Sequence, residues 1–173
     1  GGHAAVRAVW RTLMPPRVRI LAQPVLAHLA ERKVMRALRD TAPAHRPGPL
    51  IVSGLMAEAK GVSLAAKLTV AGLSRAGFKP LVHDLRPLLS LGGGRSAELE
   101  FARPGGVWLM HVNAPEAIRA LAALPTRLWN GRYRIGYWAY ELPRIPGDWV
   151  RAAHAFDELC APSRFVAEAM AAS

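Results

Sequence analysis

The sequence predicts an α/β fold, an open parallel sheet with helices on both faces. Three observations predict it. Short apolar runs of strand length recur from residue 50 to the end of the 173-residue chain. Stretches with apolar residues at helical spacing lie between them. The alternation of the two is steady, and each strand–helix–strand unit has the length of a right-handed crossover between parallel strands.

The elements follow in order. Residues 4–14 and 24–40 read as two helices, punctuated by Pro15-Pro16 and Pro24. In the second, Ala27, Ala30, Val34 and Leu38 form one stripe, and Arg32, Arg36 and Arg39 form another. Residues 41–48 read as a linker. Leu50 to Ser53 is a buried parallel strand that ends at Gly54. Gly61 opens a helix that runs to Gly77, a C-cap candidate. Its inner stripe is expected at Ala65, Leu68 and Gly72, with Leu64 and Ala71 beside it. Pro80 to Leu85 is the second strand.

Residues 86–106 form a long connection containing Gly92-Gly93-Gly94. Gly106 to Val112 is the third strand, and Pro115 to Leu124 a short helix with proline in its first turn. Arg134 to Tyr137 is the fourth strand, Pro146 to Ala155 a helix, and Glu158 to Ala161 the fifth strand. Ser163 is the expected N-cap of a last helix. The chain ends at Ser173, where a further strand is expected, so half of a larger protein is the expectation. Residues 1–48 form a basic helical extension and linker; 49–173 form a Rossmann-like half-domain.

Composition narrows the function. Apolar residues make up 51% of the chain, which marks a globular protein with a real core. One cysteine, Cys160, excludes an internal disulfide and lacks the companions of a zinc site. A buried, inert thiol is expected there. No apolar run reaches the length of a membrane span, and no secretory signal is evident. Gly1-Gly2-His3 reads as a tag remnant. A cytoplasmic protein is the expectation.

The net charge of +11 is uneven. Residues 1–48 hold nine Lys/Arg against two Asp/Glu, which is +7; residues 49–173 hold fourteen against ten, which is +4. Two readings stay open for residues 4–40: a helical hairpin packed on the domain, or a basic amphipathic surface for an anionic membrane at its inner face. Charge alone supports nucleic-acid binding and no recognition motif accompanies it, so none is expected.

Ligands of open parallel sheets bind at the carboxyl ends of the strands. The first loop there is Gly54-Leu-Met-Ala-Glu-Ala-Lys-Gly61, whose amides and helix N-terminus suit an anion, or whose glycines serve packing alone. It is neither a dinucleotide fingerprint nor a P-loop. Trp108-Leu-Met-His-Val-Asn-Ala-Pro115 puts His111 and Asn113 at a strand end; such a histidine serves as a base or binds a hydroxyl, or is structural. The segment from Arg134 to Trp149 is dense in aromatics around Glu141, which suits a sugar or an amphipathic acceptor, or a core.

Two runs carry a resemblance: Gly136-Tyr-Trp-Ala-Tyr-Glu-Leu-Pro-Arg-Ile-Pro-Gly-Asp-Trp149 and Phe156-Asp-Glu-Leu-Cys-Ala-Pro-Ser-Arg-Phe-Val-Ala-Glu-Ala-Met170. They resemble the retaining glycosyltransferases of family four, of the GT-B architecture, whose pattern is GYWxWELxxxPxxW followed by an aspartate–glutamate strand and APSxFV. Tyr140 stands where that pattern has tryptophan, and Cys160 where it has an aromatic. Val112-Asn-Ala114 and the Gly54–Gly61 loop resemble the family further upstream.

The resemblance implies the N-terminal, acceptor-side domain of an enzyme that moves a sugar from a nucleotide-sugar donor to an acceptor hydroxyl with retention. It implies no metal and no cofactor beyond the donor. It assigns Gly54, Lys60 and Gly61 to the donor diphosphate and His111 to catalysis. Asn113, Tyr137, Trp138 and Glu141 are assigned to the acceptor. The donor-binding C-terminal half is the implied partner, without which the chain is expected to be inactive. The alternative is a Rossmann-like module that binds a ligand or partner without catalysis.

Overall fold

A computed structural model of the chain describes residues 15–39, 45–57, 61–89 and 103–173. The described elements are α1 (Pro16–Arg39), β1 (Leu50–Gly54), α2 (Gly61–Arg75), β2 (Leu81–Asp84), α3 (Arg86–Leu89), β3 (Val107–His111), α4 (Ala114–Ala123), α5 (Thr126–Trp129), β4 (Tyr133–Tyr137), α6 (Gly147–Ala153), β5 (Glu158–Cys160) and α7 (Arg164–Ala171). The five strands form one sheet in the order β2-β1-β3-β4-β5, and every pairing is parallel. This is the expected Rossmann-like α/β arrangement.

The order has a consequence for the site. From β1 the chain moves first to β2 on one side, then returns to build β3, β4 and β5 on the other. Right-handed crossovers in opposite directions place their helices on opposite faces. Accordingly, α2 packs on β1 and β3, while α4 packs with α1, α3 and α6. The main core lies on the α4 face. There Ile51, Trp108 and Met110 of the sheet meet Ala117, Leu121, Trp129, Trp138 and Trp149. Trp108 Nε1 donates to Ser53 Oγ at 2.7 Å across the first two central strands, so the buried hydroxyl is satisfied.

Local signals explain most boundaries. Gly77, with φ +88°, closes α2. Phe78 N–H donates to Leu73 O at 3.0 Å and Gly77 N–H to Ser74 O at 3.1 Å, the two bonds of a Schellman cap. Ser163 caps α7, its Oγ accepting from Val166 N–H at 3.3 Å.

Four expectations change. Helix α1 begins at Pro16 and continues through Pro24. Proline removes one amide and crowds the preceding turn, but the turns around Pro24 are open to solvent, where water serves the carbonyl that loses its partner. The expected helix at 4–14 lies outside the described residues. The inner stripe of α2 is rotated: Ser63 and Ala66 are buried, while Leu64 and Leu68 are more than half exposed. The reason is proximity, since a Cβ added at Gly54 would sit 3.1 Å from the Ala66 Cβ. Only a small side chain lets the helix come that close to the strand.

The connection after β2 starts as the short helix α3, with Leu88 buried against the core, and α5 is a second unexpected turn of helix. Finally, the end of the expected linker is pinned. Arg46 N–H donates to Gly131 O, and Gly106 N–H to Arg46 O at 2.7 Å. Gly105 and Gly106 take φ near +80° against this strand of chain, and a Cβ on either would collide with it.

Candidate functional site

The point where strand order reverses lies between β1 and β3, and ligands of open parallel sheets bind outside the carboxyl ends of the strands at such a point. Gly54 pairs with His111 there, and with Asp84 on its other side. Alternation along the strands puts Val52, Gly54, Leu109 and His111 on the α2 face, with Tyr137 of β4 beside them. The His111 and Tyr137 rings lie 4.5 Å apart, tilted by 33°. A Cβ at Gly54 would stand 3.3 Å from the Cβ of His111, so glycine is what lets α2, β1 and the imidazole converge.

His111 is 1% exposed, and neither Nδ1 nor Nε2 has a hydrogen-bond partner among the described residues. Among the described residues it is the one titratable side chain whose polar atoms are all buried and unpartnered. Burial pushes its pKa down to about 4, because the desolvated ring resists a proton. At neutral pH it is a neutral imidazole with one donor and one acceptor, both unmet. A buried polar group without a partner costs about 1–3 kcal/mol.

The other expected residues divide. Gly61 is the first residue of α2, and a Cβ there would meet nothing within 4 Å, so packing does not explain this glycine. The helix N-terminus it opens leaves amides without helical partners. Lys60 lies outside the described residues. The Asn113 carbonyl is engaged within the fold: its Oδ1 accepts from Ala139 N–H at 3.0 Å and ties the end of β3 to the chain leaving β4. Trp138 is fully buried, edge-on to Trp149 at 5.6 Å and to Phe156 at 5.5 Å. It belongs to the core and lines no acceptor surface. Glu141 is exposed on the following loop and makes no hydrogen bond or ion pair among the described residues. Tyr140 is half-buried and tilts against Trp149, with ring centroids 4.7 Å apart.

One pair at this end of the sheet escaped the sequence reading. Asp84 closes β2, and its carboxylate takes Arg86 Nε at 2.8 Å, Nη2 at 2.5 Å and the Arg86 backbone N–H at 3.0 Å. Burial raises the Asp84 carboxyl, but the bonds and charge of Arg86 outweigh it and hold the group below its ordinary value. The signal was the Asp84-Leu-Arg86 run, which the sequence pattern divides between the end of the second strand and the connection after it. Cys160 is half-buried, and burial, followed by the charge of Glu158, pushes its thiol up, away from a reactive thiolate. Among the described residues no group of three or more metal-ligating side chains occurs.

No family model matches this chain, and no curated protein or solved structure is significantly similar to it.

Proposed function

We propose that this chain is the acceptor-side half of a retaining glycosyltransferase. The observation that carries the reading is His111: a neutral, buried imidazole with both nitrogens unmet, at the switch point beside Gly54 and the start of α2. A sugar hydroxyl both donates and accepts, and so does this ring. The 136–166 segment, which resembles the family-four transferases, supports the same reading.

A base works best when its pKa lies near the working pH. With its pKa at about 4, His111 is a poor base at neutral pH and a good hydrogen-bonding group. Its role is therefore to hold a hydroxyl of the donor sugar or acceptor in place. The acceptor oxygen bonds the anomeric carbon as the bond to the diphosphate breaks, and the hydroxyl proton passes to an oxygen of the departing diphosphate. The amides around Gly54 and Gly61 stabilise the departing diphosphate. Tyr137 and Glu141 border the acceptor, and Lys60 adds its charge to the diphosphate loop. A second half carrying the donor site completes the enzyme.

One observation favours the alternative of a binding module: the Asn113 carbonyl and Trp138 are already engaged by the protein itself. A panel of nucleoside-diphosphate sugars, offered to the intact protein with simple glycoside acceptors, separates the two. Transfer is expected, with His111→Ala lowering kcat/KM about tenfold, the worth of one hydrogen bond to a hydroxyl. Glu141→Ala is expected to raise KM for the acceptor. Turnover of no donor, together with calorimetric binding of uridine diphosphate, would leave the binding module standing. Unchanged transfer by both variants would remove these residues from the mechanism.

A further inference from the structure

We infer that α1 is a docking surface for an anionic lipid membrane. The inference does not rest on the sugar-transfer reading. From Val18 to Leu29 no described side chain of α1 is fully buried. Leu21 is 74% exposed, Val25 60% and Leu29 54%. Ala27 already faces Ile118 and Trp149, packing on the core follows from Ala30, and Val34 is the first residue fully enclosed. The first half of the helix therefore stands out from the body.

Its exposed residues are ordered. Val18, Leu21, Val25 and Leu29 recur at steps of three and four and make one ridge. Arg32 and Arg36 continue the same row, with Arg39 beside it. The ridge is thus apolar in its first half and cationic in its second. The cationic half lines an open concavity of about 910 Å³, with Leu29, Arg32, Arg36 and Arg39 facing Thr126 across it. Among the described residues these three arginines make no ion pair. Lys33 differs, since its Nζ donates to Ala122 O at 2.5 Å.

Charge decides the occupant. A second copy would set the same cations against one another, within a segment of net charge +7. Nucleic acid would leave the ridge of leucine and valine without a partner, and the ridge carries no aromatic for a base to stack on. An anionic bilayer takes both halves. The boundary of its acyl chains accepts Leu21, Val25 and Leu29, and its headgroup phosphates accept Arg32, Arg36 and Arg39. No described helix is long and apolar enough to cross a membrane, so α1 lies along the surface.

Vesicle co-sedimentation of the full chain tests this, using phosphatidylcholine alone or with about 30% phosphatidylglycerol. Binding is expected on the anionic vesicles and is expected to fall with added salt. Leu21→Ser with Val25→Ser and Leu29→Ser should weaken it more than about tenfold. Arg32→Gln with Arg36→Gln should weaken it about 25-fold, from a factor of about five per charge. All five positions are exposed, and circular dichroism checks that each variant stays folded. Sedimentation without vesicles would make a second copy the partner and overturn the inference. So would equal binding to neutral vesicles, no binding at all, or unchanged binding by both variants.

Discussion

Arg132 and His111 are both fully buried polar side chains, at opposite ends of the same sheet. Arg132 precedes β4 at the amino end. Its Nε donates to Leu128 O at 2.6 Å and its Nη1 to Gly105 O at 2.5 Å, while Nη2 donates to Arg103 O. Each nitrogen of the fork meets a carbonyl, and the bonds clamp the 103–106 turn on which Arg46 and Gly48 pack. His111 ends β3 at the carboxyl end, packed on Tyr137, and its two ring nitrogens have no hydrogen-bond partner among the described residues. The difference teaches how to read a buried polar group. A satisfied one fixes the scaffold; an unsatisfied one at a strand end marks a candidate site for a ligand.

Three measurements break or sharpen this contrast. The largest effect is expected at Arg132. Arg132→Met leaves three carbonyls without their donor and should cost about 4 kcal/mol in urea unfolding. A loss under about 1 kcal/mol would mean the clamp does not hold the amino end together.

The second concerns acid. His111 has an ordinary pKa of 6.5 and a folded pKa of about 4, so between these values the unfolded chain binds a proton that the folded chain refuses. Its contribution is present above pH 6.5 and is lost as pH falls to 4. The loss is on the order of 3 kcal/mol. His111→Leu should abolish that part of the pH dependence and be at least as stable as the parent at pH 7. Parallel stability curves for the two proteins from pH 7 to 4 would show that the ring is not buried neutral.

The smallest effect is expected at Asn113. Asn113→Ala removes the acceptor of the Ala139 N–H, at a cost of about 1 kcal/mol. Hydrogen exchange at the Ala139 amide should accelerate while the amides of β3 stay protected. Unchanged exchange at Ala139 would mean that the link does not order the loop.

Much of the fold was legible because it is written locally. Leu50-Ile-Val-Ser is apolar along its length, as a strand covered on both faces must be. Gly77 and Ser163 act through bonds to residues at most five positions away, so the cap signals survive without tertiary context. The candidate site was legible at His111 and Gly54, since both stand at strand ends. It was not legible at Trp138 and Asn113. An aromatic strand end reads the same whether it faces a ligand or a core, and the Asn113–Ala139 bond spans 26 residues. The inner face of α2 was misread for a related reason. Leu64 and Leu68 are the more hydrophobic choice, but the approach to Gly54 admits only Ala66.

By itself, then, the sequence determined that this protein alternates strands and helices, where most of these begin and end, and that its positive charge gathers before residue 49. Periodicity, capping and charge are properties of neighbours along the chain, so they need no fold to be read. The tertiary structure alone decided the strand order, and with it the switch point that brings Gly54 against His111. It alone decided which aromatics sink into the core, and that Leu21, Val25 and Leu29 of α1 are exposed. These depend on which surfaces meet, and surfaces meet across distances in sequence that no local pattern records.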